Sequence, residues 1–336
     1  MSDFSGEQTI GKPGLLEEIR NACMNVLSEM RGIIAKTPSI PMFLLLLWMV
    51  VLLFEFYGNS TMGYLQSRSL FNWTMWAYEV NEDDSHGYLI PWVVLGLLWW
   101  KRAEITAVHK RNWGPGLLIL AAGLLLHLTG FLVQQARISI IAFFLCLYGI
   151  IGVTWGAGML RAIFFPFFLF AFCVPLGTLS ELITFPLRLV ATKFSSFICD
   201  TILGINLIQR GTQIFSADGT FQYEVAAACS GLRSLTAIVA LATIYGFMTF
   251  QSAGKRALVI LAAFPLALAG NIVRLTTIII VAEAFGQKYG NLVHDNSWFS
   301  MLPYLPAIGG LMFMGWVLRD RETSSMKNSR VIEQPA

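Results

Sequence analysis

Charge is what this sequence has least of. Asp, Glu, Lys and Arg make up 13% of its 336 residues, against about 25% in an ordinary soluble domain. Hydrophobic residues reach 56% and the mean hydropathy is +0.64. That balance excludes a soluble globular domain and points to a chain that crosses a membrane several times. A net charge of +3, without a basic run interleaved with aromatics, leaves no footprint for nucleic acid. The five cysteines, Cys23, Cys146, Cys173, Cys199 and Cys229, form no C-x-x-C pair. Zinc and iron–sulfur sites are therefore not expected, no cofactor is implied, and a disulfide framework is not expected either. The first forty residues lack the early apolar core of a signal peptide, so the first membrane helix is expected to act as the insertion signal. No internal repeat stands out.

What the chain does have is a series of apolar runs. Leu15 to Ile34 carries weak helical periodicity and reads as a surface-lying helix. Expected spans are Pro41–Tyr57, Tyr88–Trp100 (short, and extended backwards), Pro115–Val133, Ile138–Ala157, Ile163–Leu179, Gly231–Phe250, Ala257–Phe285 and Trp298–Val317. Leu182 to Ile198 is apolar but holds Arg188, Lys193 and several hydroxyls, which fits an amphipathic interfacial helix better than a span. Three strand-like runs follow: Leu207–Arg210, Thr212–Ser216 and Thr220–Val225. Alternation on either side of Ala217-Asp218-Gly219 predicts a small β-hairpin there. Residues 58–87 and 286–297 read as polar loops. The expected fold class is thus an all-α polytopic membrane protein of about eight transmembrane helices, with an interfacial helix and a small outer β-hairpin. Residues 1–40 form an N-terminal segment, 41–318 the membrane domain and 319–336 a polar tail.

The distribution of basic residues gives an orientation. With the N-terminus inside, the inner segments hold 15 of the 23 Lys and Arg, among them Lys101, Arg102, Lys110, Arg111, Lys255 and Arg256. The acidic cluster Glu79, Glu82, Asp83 and Asp84 falls outside. Positive residues concentrate on the cytoplasmic side of membrane proteins, so both termini are expected to be cytoplasmic.

That topology brings three polar residues to one depth. Cys229 falls at the outer end of the sixth span, where small residues (Ala226, Ala227, Ala228) crowd it. Arg274 lies 17 residues into the seventh span from Ala257, roughly 25 Å through a core of roughly 30 Å. His294 lies in the outer loop that follows. An arginine inside a span is a candidate functional residue, the alternative being that it snorkels to the interface. Asn271 shares its helix face by the i, i+3 spacing. A free cysteine is usually a small buried hydrophobe; here a helix start and the cations Arg233 and Arg274 would favour its thiolate. Ser230 and Arg233 either shape the helix start or touch substrate. His294 is a general base or an ordinary loop histidine. Together the three suggest thiol acyl transfer. His86, beside Asp83 and Asp84, lacks chelating spacing; a hydrogen-bonded role that shapes the site or the start of the next helix fits it better than a metal.

Several of these stretches resemble the exosortase/archaeosortase family of membrane cysteine transpeptidases. The resemblance rests on Ala228-Cys229-Ser230-Gly231-Leu232-Arg233-Ser234, on Asn271-Ile272-Val273-Arg274 and on His294-Asp295. It is supported by Ser85-His86-Gly87-Tyr88-Leu89-Ile90-Pro91 and by Phe164–Pro175 with Pro186-Leu187, and it covers roughly residues 70–300. It implies cleavage of C-terminal sorting signals on exported proteins. Such a signal is a short motif (Pro-Glu-Pro in one branch), a transmembrane helix and a basic tail. Cys229 would form an acyl-thioester that is passed to an acceptor nucleophile of unknown identity or to water. Arg274 and His294 take the family's other two catalytic positions, and histidine at the third is similar to the bacterial exosortase branch. The location implied is the cell inner membrane, with the site at the periplasmic face and the lipid bilayer and exported proteins as partners. Where the resemblance leads one to expect a tyrosine before Ser-His-Gly, this chain has Asp84, and no accessory domain is expected after the eighth span. The competing readings are a transporter or polysaccharide-assembly component without peptidase activity, and an inactive relative that serves as a scaffold. A transporter would be expected to hold its polar residues near mid-membrane, whereas here they gather at the outer face.

Overall fold

The structure is a computed structural model that describes residues 15–61, 65–224, 232–295, 301 and 304–319. It divides into two compact units. The first comprises residues 1–70 and 96–167, the second residues 71–95 and 168–336.

In the first unit, α1 (Leu15–Lys36) is exposed along almost its whole length, as expected of a surface helix. α2 (Ile40–Tyr57) matches the first expected span, with Pro41 in its opening turn where the missing N–H costs nothing. α6 (Gly116–Leu132) and α7 (Ala136–Trp155) form a close helical hairpin. Glycines make the approach possible. A Cβ on Gly123 would lie 2.6 Å from Cys146 Sγ and 2.9 Å from its backbone nitrogen, and one on Gly116 would lie 2.5 Å from the nitrogen of Val153. Without a hydrophobic driving force between helices in lipid, such small-residue contacts are what hold them together. The buried His127 bonds Ser139 Oγ at 3.0 Å across this hairpin. α8 (Ala157–Phe168) holds Pro166 in its last turn. The expected fifth span does not continue as one α-helix: the chain passes into 3₁₀ turns at Leu169–Cys173 and Gly177–Ser180. Pro166 and Pro175 remove the amide donors an unbroken helix would need.

The second unit is built on α11 (Ala253–Phe285), 33 residues long. α9 (Glu181–Phe197), α10 (Leu232–Thr249), α12 (Gln287–Asp295) and α13 (Tyr304–Val317) all pack on it. Two apolar clusters divide its length. Towards its start, Val259, Ala263 and Ala267 pack with Leu235, Ile238 and Ala242 of α10 and with Ala307 and Leu311 of α13. Towards its end, Leu275, Ile278, Ile279 and Ala282 pack with Cys199, Ile214, Phe221, Tyr223 and Val293. The second cluster seats a sheet. β1 (Leu207–Arg210), β2 (Gln213–Ser216) and β3 (Gln222–Glu224) form an antiparallel meander in the order β1-β2-β3, with Gln209 opposite Ile214 and Ile214 opposite Tyr223. The expected hairpin is therefore a three-stranded sheet. Its β2–β3 turn is closed by Ser216 N to Phe221 O at 3.0 Å, with Gly219 at φ 71°, a conformation that favours glycine.

Two segments expected as loop are helical. α3 (Leu70–Val80) lies within residues 58–87 and α12 within 286–297. The second expected span is α4 (Ile90–Trp100) and is not extended backwards as α-helix; a 3₁₀ segment, Glu82–Tyr88, precedes it. α5 (Arg102–Ala107) follows it. Among the described residues, three helices are long and apolar enough to cross a membrane, α2, α7 and α11. Four shorter apolar stretches accompany them: Gly116–Leu132, Ala157–Cys173, Leu235–Thr249 and Tyr304–Val317. The chain is thus a multi-pass helical membrane protein with a small sheet.

Candidate functional site

Asn271 and Arg274 occupy the short interval of α11 between the two apolar clusters. Asn271 is 7% exposed and Arg274 is half-buried. α11 ends at Phe285, and Gly286 (φ 88°) turns the chain through a left-handed conformation, its N–H bonded to Ala282 O at 2.8 Å. α12 then runs back along α11, held by Val293 in the second cluster. This return brings His294 to Arg274, whose Nη2 donates to the His294 carbonyl at 3.2 Å. The carbonyls in the last turn of a helix lack intrahelical donors and carry the negative end of the helix dipole. A guanidinium at the end of α12 satisfies one of them. The His294 ring lies 6.5 Å from the Tyr223 ring, the two planes 23° apart. Tyr223 also donates from its hydroxyl to Gln287 O at 3.3 Å. Tyr223 thus fixes both ends of α12 against the sheet, and nothing local in the sequence announces it.

Of the other residues singled out, Cys229 and Ser230 lie outside the described residues. Arg233 falls in the first turn of α10. The chain carrying Cys229 leaves β3 at Glu224, one residue past Tyr223, and is described again at Leu232 where α10 begins.

His86 belongs to the 3₁₀ segment Glu82–Tyr88, which packs against α10 and against Leu169–Cys173. The organiser of this segment is Asp84, only 1% exposed. Its carboxylate accepts the backbone N–H groups of Leu176 at 3.0 Å and Gly177 at 2.9 Å, and the side-chain amide of Asn81 at 2.9 Å. It satisfies donors freed where Pro175 interrupts the helical run. Tyr78 adds a second tie, its hydroxyl donating to the Cys173 carbonyl. Burial, then the neighbouring Cys173, Asp84 and Tyr88, raise the Tyr78 phenol above its ordinary value. Across the loop, His86 Nδ1 lies 2.9 Å from Asp83 O.

The side of α9 that meets α11 is polar. Thr184, Arg188, Thr192, Ser195 and Ser196 are all buried, whereas Leu182, Phe185, Phe194 and Phe197 are exposed. The helix is amphipathic, as its composition predicts, but its polar face turns inward. Ser195 Oγ donates to Ile272 O on α11 at 3.3 Å, one residue from Asn271.

In the second unit apolar helices pack on α11, a buried polar seam lies where α9 meets it, and Arg274 is joined to the main chain of His294, as in a helical membrane protein with polar groups held inside. A family model for the transmembrane exosortases matches residues 73–313, and the chain belongs to that family. Neither the curated proteins nor the solved structures compared with it give a match.

Proposed function

We propose that this exosortase is a membrane-embedded cysteine transpeptidase that cleaves the C-terminal sorting signals of exported proteins, with Cys229 as nucleophile and Arg274 and His294 as its partners. The observation that carries the reading is the Arg274–His294 contact, which joins two of the three residues the chemistry needs. The proposal includes eight membrane crossings, a cell inner-membrane location and a site at the periplasmic face.

The chemistry runs as acyl transfer. The Cys229 thiol gives its proton to His294, and the thiolate attacks the scissile carbonyl carbon. Negative charge gathers on the carbonyl oxygen. Arg274 is suited to stabilise it, because its guanidinium is permanently charged and presents donors in a fixed fork. The same property makes it a poor proton donor. Collapse of the tetrahedral intermediate breaks the C–N bond, and the departing amine takes a proton from His294, imidazole being the side chain suited to such exchange near neutral pH. The acyl-thioester on Sγ is then attacked by an acceptor nucleophile or water, whose proton passes to His294, and Cys229 is released as thiolate. The neighbouring residues in sequence, Ala226, Ala227 and Ala228, are small, as the approach of an extended peptide to the sulfur requires.

Co-expression of a protein bearing a sorting tail tests the reading. Wild type is expected to shorten the tail and Cys229→Ala to leave it intact, with a thioester adduct trapped on wild type by a tail that lacks an acceptor. Tail processing that continues unchanged in Cys229→Ala overturns it.

A further inference from the structure

Arg188 is the least compensated charge in the described part of the second unit. It is 8% exposed and its Nε is buried without a hydrogen-bond partner. Its Cζ lies 5.8 Å from the Phe185 ring, and no acidic side chain forms an ion pair with it among the described residues. A cation buried in this way is destabilising unless a counter-charge completes the site. On the same two helices, Ser196 Oγ of α9 and Thr276 Oγ1 of α11 are also buried without partners.

The contacts fix how these groups line up. Leu187 packs against the cluster of Val259, Ala263 and Ala267, Ser195 bonds Ile272 O, and Cys199 packs beside Leu275 and Ile278. α9 therefore runs parallel to α11. Arg188 sits about 10 Å along the seam from Ser195, at 1.5 Å per residue, and Ser196 and Thr276 mark the end nearer Arg274.

We propose that this seam binds the peptide substrate, with Arg188 as the residue that receives a carboxylate of the peptide. The inference rests on the peptidase reading above and adds a specificity determinant to it. A guanidinium is matched by a carboxylate in fork geometry. The unsatisfied hydroxyls beside it match the amides and carbonyls that an extended chain presents about every 3.3 Å. A lipid headgroup paired with Arg188 would be too compact to serve hydroxyls about 12 Å further along the seam as well. The separation of Arg188 from the Ser196–Thr276 end corresponds to about three or four residues of extended peptide.

Steady-state cleavage of a tail-bearing substrate by the full-length enzyme in nanodiscs tests this. Each acidic residue of the tail is replaced in turn by its amide, and each substrate is presented to wild type, Arg188→Gln and Arg188→Lys. With wild type, one amide replacement is expected to raise KM about 10-fold or more while kcat holds, the range for a hydrogen bond to a charged group. Arg188→Gln is expected to show the same loss on the unaltered tail and no further loss on that amide tail, with Arg188→Lys in between. The substrate arm does not depend on how Arg188→Gln folds: indifference of wild type to every amide replacement overturns the assignment. Losses that multiply in the combined case overturn it as well. If wild type does not cleave the unaltered tail at all, the peptidase reading fails and this inference fails with it.

Discussion

Arg274 reaches over the turn at Gly286 and donates to the main-chain carbonyl of His294, 3.2 Å away and 20 residues on. The bond ties the last turn of α12 to the interval of α11 that separates its two apolar clusters. It holds the histidine backbone and so limits where the imidazole can stand.

Arg274→Lys tests whether charge or shape matters there. Lysine keeps the charge but offers one compact ammonium in place of a planar fork. It cannot hold the His294 carbonyl and face a developing oxyanion with the same geometry. Tail cleavage is expected to fall by about 10²-fold, the scale of losing one oxyanion donor, with thermal stability little changed. Full activity in Arg274→Lys would remove the guanidinium from the mechanism.

Gly290 and Tyr223 predict a paired effect. A Cβ on Gly290 would run into the Tyr223 hydroxyl and would lie 2.9 Å from the Ala282 Cβ. Gly290→Ala is expected to cost about 1–3 kcal/mol by overpacking, read as a lowered Tm. Tyr223→Phe removes the obstructing oxygen at the expense of its bond to Gln287 O. Adding it to Gly290→Ala is expected to recover much of the loss. If the double variant is no more stable than Gly290→Ala alone, the notch is not where α12 and the sheet interlock.

Asp84→Asn leaves the shape of the side chain nearly intact and takes away a carboxylate that accepts from Leu176, Gly177 and Asn81. An amide nitrogen facing a backbone N–H offers no lone pair. A loss of about 1.5–3 kcal/mol is expected, since the bonds are to a charged acceptor in a buried place. Thermal unfolding of Asp84→Asn beside wild type measures it, and equal Tm values would refute the organising role.

Gly123→Ala and Gly96→Ala form a contrast within the apolar helices. Gly123 lies against Cys146, whereas a Cβ at Gly96 meets nothing within 4 Å. The first substitution is expected to push α6 from α7 and lower stability. The second is expected to be neutral or to stabilise by up to about 1 kcal/mol through helix propensity. The same destabilisation from both would mean that the close approach is not what holds the hairpin.

Tyr78 gives a pH dependence. Its folded-state pKa is raised, so its contribution is complete below the ordinary tyrosine value of about 10 and is lost as pH rises above that value towards the folded one. Wild type is expected to lose stability above about pH 10 more steeply than Tyr78→Phe. Parallel alkaline profiles for the two proteins would count against it.

Helices built on long, predominantly apolar runs could be read directly: α2, α6, α7, α10 and α11 lie within a few residues of expectation. α12 escaped because Gln287, Lys288, Asn291 and Asp295 dilute nine residues to a polar average, although Val293 joins the apolar cluster on α11. α3 escaped for the same reason, with Asn72, Thr74 and Glu79 set among its aromatics. That Arg274 and His294 come near each other was legible, because span length and the positive-residue bias predict one level for both, and the two are in contact. The contact of Tyr223 with His294 was not, because it joins a strand to a helix some 70 residues later through a tertiary fold. Nor could composition show which way the polar face of α9 turns. Periodicity reports that a helix has two faces and is silent on which one is buried.

That inward polar face bears on how the protein is made. Alone in lipid, α9 would expose Arg188 and its hydroxyls to hydrocarbon, where an unpaired polar group is costly. Alone in water it would expose Leu182, Phe185, Phe194 and Phe197. The seat of that face includes α11, where Ile272 O accepts from Ser195 Oγ at 3.3 Å, and α11 leaves the ribosome after the whole sheet and α10. α9 therefore reaches its final seat late, when the chain behind it has been completed, and the order of synthesis is not the order of assembly.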